Sequence, residues 1–233
     1  MLIQLKGGRV IDPANNRDFV GDVYLENRRI VDAPDGREPD EVHDVSGKIV
    51  MAGAIDVHSH IAGTNVTLGR QLMPELPLIA SAEGQPILPS PAAWGAYATG
   101  IRYAEMGYTT VIEPAMIPTH AIQSHKEMAS IPIIDVAGLV ILGNDDYTLN
   151  LLRTGNVMSD ELKDYVAWTL SHSKALGLKV INAGGSEAFK FNARTFDLDE
   201  QVPEYGVTSR GIVEAMQQAI ADLGVPHPPH VHT

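Results

Sequence analysis

The sequence predicts an α/β protein in two parts. A small all-β unit occupies residues 1–52, and residues 53–233 form strands alternating with helices, the pattern of a parallel sheet with helical crossovers. Three observations carry this. The first fifty residues hold short apolar runs separated by turn residues, with no helical period. The pattern changes at Gly53, after which apolar runs alternate with helical stretches. The composition, 44% hydrophobic and 20% charged over 233 residues, is enough to bury a core.

In the first part, Leu2–Leu5, Arg9–Ile11, Asp22–Leu25, Arg29–Val31, Glu41–Val45 and Lys48–Met51 read as strands. Gly7-Gly8 breaks the first from the second, and Asp12 to Asn16 is dense turn chemistry. Glu26-Asn27-Arg28 reads as a hairpin turn, and a single helical turn is placed near Glu38. In the second part, Ala54–Val57 is a strand that runs into His58-Ser59-His60. The segment Gly63 to Pro91, with Pro74, Pro77, Pro86 and Pro89, reads as a long loop. A long ordered loop in that position is either functional or an oligomer contact. Ala92–Met106 is a helix stopped by Gly107, Thr109–Ile112 a strand ending at Glu113-Pro114, and Thr119–Ala129 a helix. Ile131–Leu142 is a β-rich run ending in Gly143-Asn144-Asp145-Asp146. Ser159 caps a helix over Asp160–Leu176, and Leu178–Ile181 is the next strand. A loop follows over Ser186–Tyr205, then a capped helix over Thr208–Leu223 and a fifth strand from Pro229 to His232.

Charge and composition exclude several classes. The formal net charge is −12, from 17 basic and 29 acidic side chains, with no Lys/Arg-rich run, so no nucleic-acid partner is expected. There is no cysteine, which removes disulfides, thiolate metal sites and cysteine nucleophiles together. No apolar stretch is long enough for a signal peptide or a membrane span, so no membrane is expected and the cytoplasm is the default location.

Two histidines two apart on a strand point the same way, so His58 and His60 can reach one cation. The other reading is a pair of solvated histidines at a strand end. Lys179 is the one charge in Leu178–Ile181. Buried, it would lose its proton, and its neutral amine could take up carbon dioxide to give a carbamate. On the strand's outer face it would only extend its amine to water. His230 and His232 repeat the two-residue spacing at another strand end. Glu113, Asn144, Asp145, Asp146 and Asn182 also fall at strand ends, where they can serve as supporting groups or substrate contacts.

Leu5-Lys6-Gly7-Gly8-Arg9-Val10-Ile11-Asp12-Pro13 and Gly53-Ala54-Ile55-Asp56-Val57-His58-Ser59-His60 resemble the openings of dihydroorotases, hydantoinases and other members of the amidohydrolase superfamily. The block Thr99 to Val111, followed by Glu113-Pro114-Ala115-Met116, narrows the resemblance. It is similar to the A subunits of formylmethanofuran dehydrogenases and of bacterial formyltransferase/hydrolase complexes. Gly69-Arg70, Lys179 to Asn182 with Gly184-Gly185, and the closing His-x-His agree with it.

The resemblance implies a β-sandwich beside a (β/α)₈ barrel with one or two zinc ions. It implies His58, His60 and His232 as ligands, with His230 the alternative to His232. Lys179 matches the carboxylated bridging lysine, and Asn182 and Glu113 become substrate contacts. Thr233 stands where the family carries a cysteine or similar residue. A full barrel takes about 250 residues, so the chain is expected to hold about five of the eight strands. The activity implied is hydrolysis or formation of the N-formyl bond of a formylmethanofuran-like amine, within a complex of several subunits. The competing expectations are a cyclic-amide hydrolase of the dihydroorotase or hydantoinase kind, and a metal-free scaffold subunit.

Overall fold

The computed structural model describes residues 1–72, 95–153, 160–193 and 197–232. They divide into two compact units, Met1–Gly53 and Ala54–Thr233.

The first unit is one five-stranded sheet: β1 (Leu2–Asp12), β2 (Arg17–Glu26), β3 (Arg29–Val31), β4 (Glu41–Asp44) and β5 (Ile49–Met51). The order is β3-β2-β1-β4, with β5 paired to β1 beyond the end of β4. The first two expected strands are a single one. Gly7 adopts φ +74° and the register slips between Leu5 and Gly8, so a bulge absorbs the glycines and the ladder continues. The expected hairpin turn is present. Asn27 and Arg28 both take positive φ, the handedness that matches strand twist in a two-residue connection. The turn near Glu38 lies instead at Asp35-Gly36, where glycine supplies the left-handed conformation (φ +68°).

The second unit carries the parallel sheet: β6 (Ala54–Asp56), β7 (Tyr108–Met116), β8 (Asp135–Ile141), β9 (Gly177–Ile181) and β10 (His230–His232). The spatial order β10-β9-β8-β7-β6 follows the sequence, and every pair is parallel. The helices are α1 (Thr64–Leu72), α2 (Ala96–Glu105), α3 (Ala121–Met128), α4 (Asp146–Arg153), α5 (Asp160–Ser173), α6 (Gly185–Lys190) and α7 (Ser209–Asp222). Val111, Val140, Leu178 and Val180 of the strands pack with Leu149, Leu162, Val166, Ile212 and Met216 of the helices in one buried cluster.

Three expectations are corrected. The long loop after His60 begins with helix α1, whose first turn follows Gly63; its proline-rich remainder lies outside the described residues. A helix, α4, follows β8 where only a strand-end turn was expected. Asp145 accepts from the backbone N–H and the hydroxyl of Thr148, which starts that helix. The loop expected at Ser186–Tyr205 opens inside helix α6. The expected cap Ser159 lies outside the described residues, as does the start of the helix expected from Ala92. Among the described residues no helix is long and apolar enough to cross a membrane.

The sheet is curled. Five flat strands at about 4.8 Å spacing would hold the outer two about 19 Å apart. That is more than two imidazoles can bridge. Yet His58, just past β6, lies 2.9 Å from His230 of β10, Nδ1 to Nε2. The two edges of the sheet have bent toward each other.

Candidate metal centre

Four histidines gather where the chain leaves β6 and along β10. The ring centroid of His58 is 5.6 Å from that of His60, 4.8 Å from His230 and 5.3 Å from His232. His58 and His230 are half-buried, and His60 and His232 are exposed. Lys179 of β9 pairs in register with His230 of β10, so the two side chains emerge on the same face. Lys179 is 0% exposed, and among the described residues its Nζ has no hydrogen-bond partner. Of the two orientations open to it in the sequence, the fold adopts the inward one.

Burial lowers the pKa of Lys179, since a charged ammonium there has lost its water. His58 is also held below the usual imidazole value, first by burial and then by the charges of Lys179 and His230. His230 is lowered for the same reasons, burial first, then Lys179 and His232. Neutral imidazoles keep a free electron pair, the form that binds metal.

The strand end that presents His58 and His60 is tied down from two sides. Asp56 accepts from the backbone N–H of His58. Tyr103 of α2 reaches beneath, its hydroxyl 2.9 Å from Asp56 Oδ2 and 2.6 Å from Ser59 Oγ. On the other side the carboxylate of Glu113, on β7, accepts from the backbone N–H groups of Ile61, Ala62 and Ala115. It also lies 3.1 Å from His60 Nδ1. Glu113 is 1% exposed. Its oxygens are thus engaged inside the protein.

The other candidates are built into the backbone. Asn182 takes φ +41°, donates its N–H to His232 O, and has its side chain where a Cβ on Gly185 would fall. Asn144 donates its side-chain amide to Ile181 O. Asp145 caps α4, and Asp146 accepts from the hydroxyl of Tyr205. Tyr103 and Ser59 were missed by sequence reasoning. Asp56 could have been suspected from its place two residues before His58, but no spacing rule links it to Tyr103.

The residues suit a zinc-like cation. Nitrogens sharing one tetrahedral zinc at about 2.0–2.1 Å lie about 3.3 Å apart, and the 2.9 Å between His58 and His230 is within a few tenths of that. The unpartnered, buried Lys179 Nζ marks a position that wants a further group. Among the described residues, no three His, Asp or Glu side chains close on an ion by themselves.

Residues 41–197, well over half of the chain, match the sequence model of the amidohydrolase family. The chain is a member of the amidohydrolase family. The A subunit of the formyltransferase/hydrolase complex Fhc of Methylorubrum extorquens is 48% identical over all 233 residues, which cover 42% of that protein. Protein FwdA of Methanocaldococcus jannaschii is 37% identical over 232 residues, 98% of this chain and 40% of FwdA. The chain thus spans about two fifths of the length of these relatives. A crystal structure of the Methylorubrum formyltransferase/hydrolase complex with methylofuran contains a chain that superposes with a TM-score of 0.90. It is 45% identical, and the match covers 100% of this amidohydrolase chain and 42% of that one.

Proposed function

We propose that the whole protein is a zinc-dependent hydrolase of an N-formyl amine resembling formylmethanofuran, working within a larger cytoplasmic complex. Lys179 is the observation that carries the reading. Its amine is deeply buried, without a hydrogen-bond partner among the described residues, and register-paired with a histidine. The neutral amine can attack carbon dioxide, forming an N–C bond and releasing one proton. The product is a carboxylate on a long stem, and its oxygens supply what the histidines lack. The formyl substrate and the partner subunits are supported by the relatives' names and by methylofuran in the related crystal structure.

In this reading His58, His60, His230 and carboxylated Lys179 hold one or two zinc ions. His230 is preferred to His232 because it touches His58 and faces Lys179. The bound metal would supply a hydroxide near neutral pH and polarise the formyl oxygen. The chain's own residues prepare the ground. Burial favours the neutral form of His58 and His230, and Asp56 with Tyr103 fixes the strand end that bears the first pair. The five strands described would be the first five of a (β/α)₈ barrel. The reaction can run in either direction, giving formate and free amine or joining them.

The competing readings are a cyclic-amide hydrolase and a metal-free scaffold subunit. The test is an assay of the full-length protein for formate release from formylmethanofuran, beside hydantoin and dihydroorotate, with zinc measured on the same sample. Zinc with formate release is expected. Turnover of a cyclic amide in its place would replace the substrate, and a folded protein with neither metal nor turnover would make this a scaffold.

A further inference from the structure

We propose that Glu113 is a positioning residue that sets the tautomer of His60, keeping the ring proton on Nδ1 and leaving the free electron pair on Nε2. Its consequence for zinc rests on the reading of His60 as a ligand; the tautomer itself does not.

Donors and acceptors around the carboxylate can be counted. Glu113 Oε2 lies 2.7 Å from the N–H of Ile61 and 3.1 Å from that of Ala62. Oε1 lies 2.9 Å from the N–H of Ala115 and 3.1 Å from His60 Nδ1. Three of these four partners are peptide N–H groups, which can only donate. A carboxylate offers about four lone-pair sites and no hydrogen. With three sites taken, the contact to His60 completes the set only if Nδ1 donates. Were Nδ1 bare, a hydrogen would have to sit on Oε1 between the ring and the Ala115 N–H. That arrangement gives up bonds to a charged acceptor, which are stronger than neutral ones. The side chain is 1% exposed, so water offers no easy substitute.

The local sequence explains how a strand residue comes to face this way. Pro114 has no N–H, so β7 cannot run an unbroken ladder past Glu113. The register between β7 and β8 slips between Glu113 and Met116. The slip turns the N–H of Ala115 back onto the carboxylate of Glu113. Bulges beside sites re-aim side chains in this manner. The same carboxylate also holds the chain just past His60 through Ile61 and Ala62. It therefore fixes both the proton and the orientation of the ring. Carboxylates that accept from the second ring nitrogen of a metal-binding histidine do both jobs, and losing one costs about 10–100-fold in affinity.

Glu113→Gln makes the proposal testable, because an amide has one acceptor oxygen and a donating NH₂. If its oxygen keeps the N–H groups of Ile61 and Ala62, the NH₂ faces His60. The ring must then accept on Nδ1 and carry its proton on Nε2. The experiment uses full-length, metal-free protein labelled with ¹⁵N-histidine, and reads the tautomer from long-range proton–nitrogen couplings. The His60 signals are assigned by their loss in His60→Asn. The expected result is Nδ1–H in the wild type, Nε2–H in E113Q, and zinc affinity about 10–100-fold weaker in E113Q by chelator competition. An Nε2–H tautomer in the wild type would overturn the proposal, and that spectrum decides even if E113Q does not fold. A folded E113Q with unchanged tautomer and zinc affinity would overturn it as well. A wild type that shows Nδ1–H yet releases no formate supports the role of Glu113 and removes the substrate reading instead.

Discussion

Lys179 shows what a single side chain reveals when its surroundings are known. Its position in an apolar strand was legible, but its direction was not, since one charge in a four-residue strand fits either face. The register with His230 and complete burial give the direction. Lys179→Ala is expected to abolish formyl hydrolysis in the full-length protein, with activity partly restored by millimolar acetate or propionate plus zinc. Full activity without added acid would remove the bridging role. His58 and His60 stood out by their spacing together with their place at the end of an apolar strand. Glu113 was legible as a polar strand end but not as the partner of His60, because the bulge at Pro114 that turns it inward leaves no periodic trace. The family resemblance put His232 ahead of His230; both sit on one face of one strand, and it is His230 that lies 2.9 Å from His58.

Elements were legible where local signals agreed. Helix α7 has Thr208 at its cap, accepting from the N–H of Gly211, and Gly224 in the left-handed conformation just past its end. Thr208→Ala is expected to cost about 1 kcal/mol, read as a shift in the denaturation midpoint at unchanged slope. Elements were lost where one signal has two meanings. Gly143-Asn144-Asp145-Asp146 reads as a turn, but aspartate favours turns and helix starts for the same reason, a side-chain oxygen that accepts backbone N–H groups. Here Asp145 starts α4. Gly7-Gly8 likewise reads as a break and is a bulge. Gly100 on α2 is a case that sequence could not flag at all. A Cβ there would lie 2.3 Å from the carbonyl oxygen of Pro132, so the helix sits directly on that backbone. Gly100→Ala is therefore expected to destabilise by about 1–3 kcal/mol despite alanine's better helix propensity. A neutral or stabilising result in thermal unfolding would mean that the two segments separate easily.

At the scale of the molecule, the parallel sheet leaves β6 and β10 with one strand neighbour each among the described residues. Ile55 on β6 is 60% exposed, and Val231 on β10 is 42% exposed. Unpaired apolar strands recruit other chains. Residues 1–233 expressed alone are thus expected to self-associate and show no formyl hydrolysis, checked by light scattering and a formate assay. A compact, active monomer would contradict the barrel reading. The contact between His58 and His230 has a further consequence, in time. The two residues are 172 positions apart, and drawing such a loop closed costs roughly 4–5 kcal/mol of chain entropy. At about 5–20 residues per second, a ribosome needs roughly 9–34 s to add the second histidine after the first. Throughout that interval His58 and His60 sit on an unfinished sheet, without the partners that make them a trap. In the proposed site, metal capture is a late event of synthesis. An ion held there would act as a latch on strands already laid down and not as the seed of the sheet.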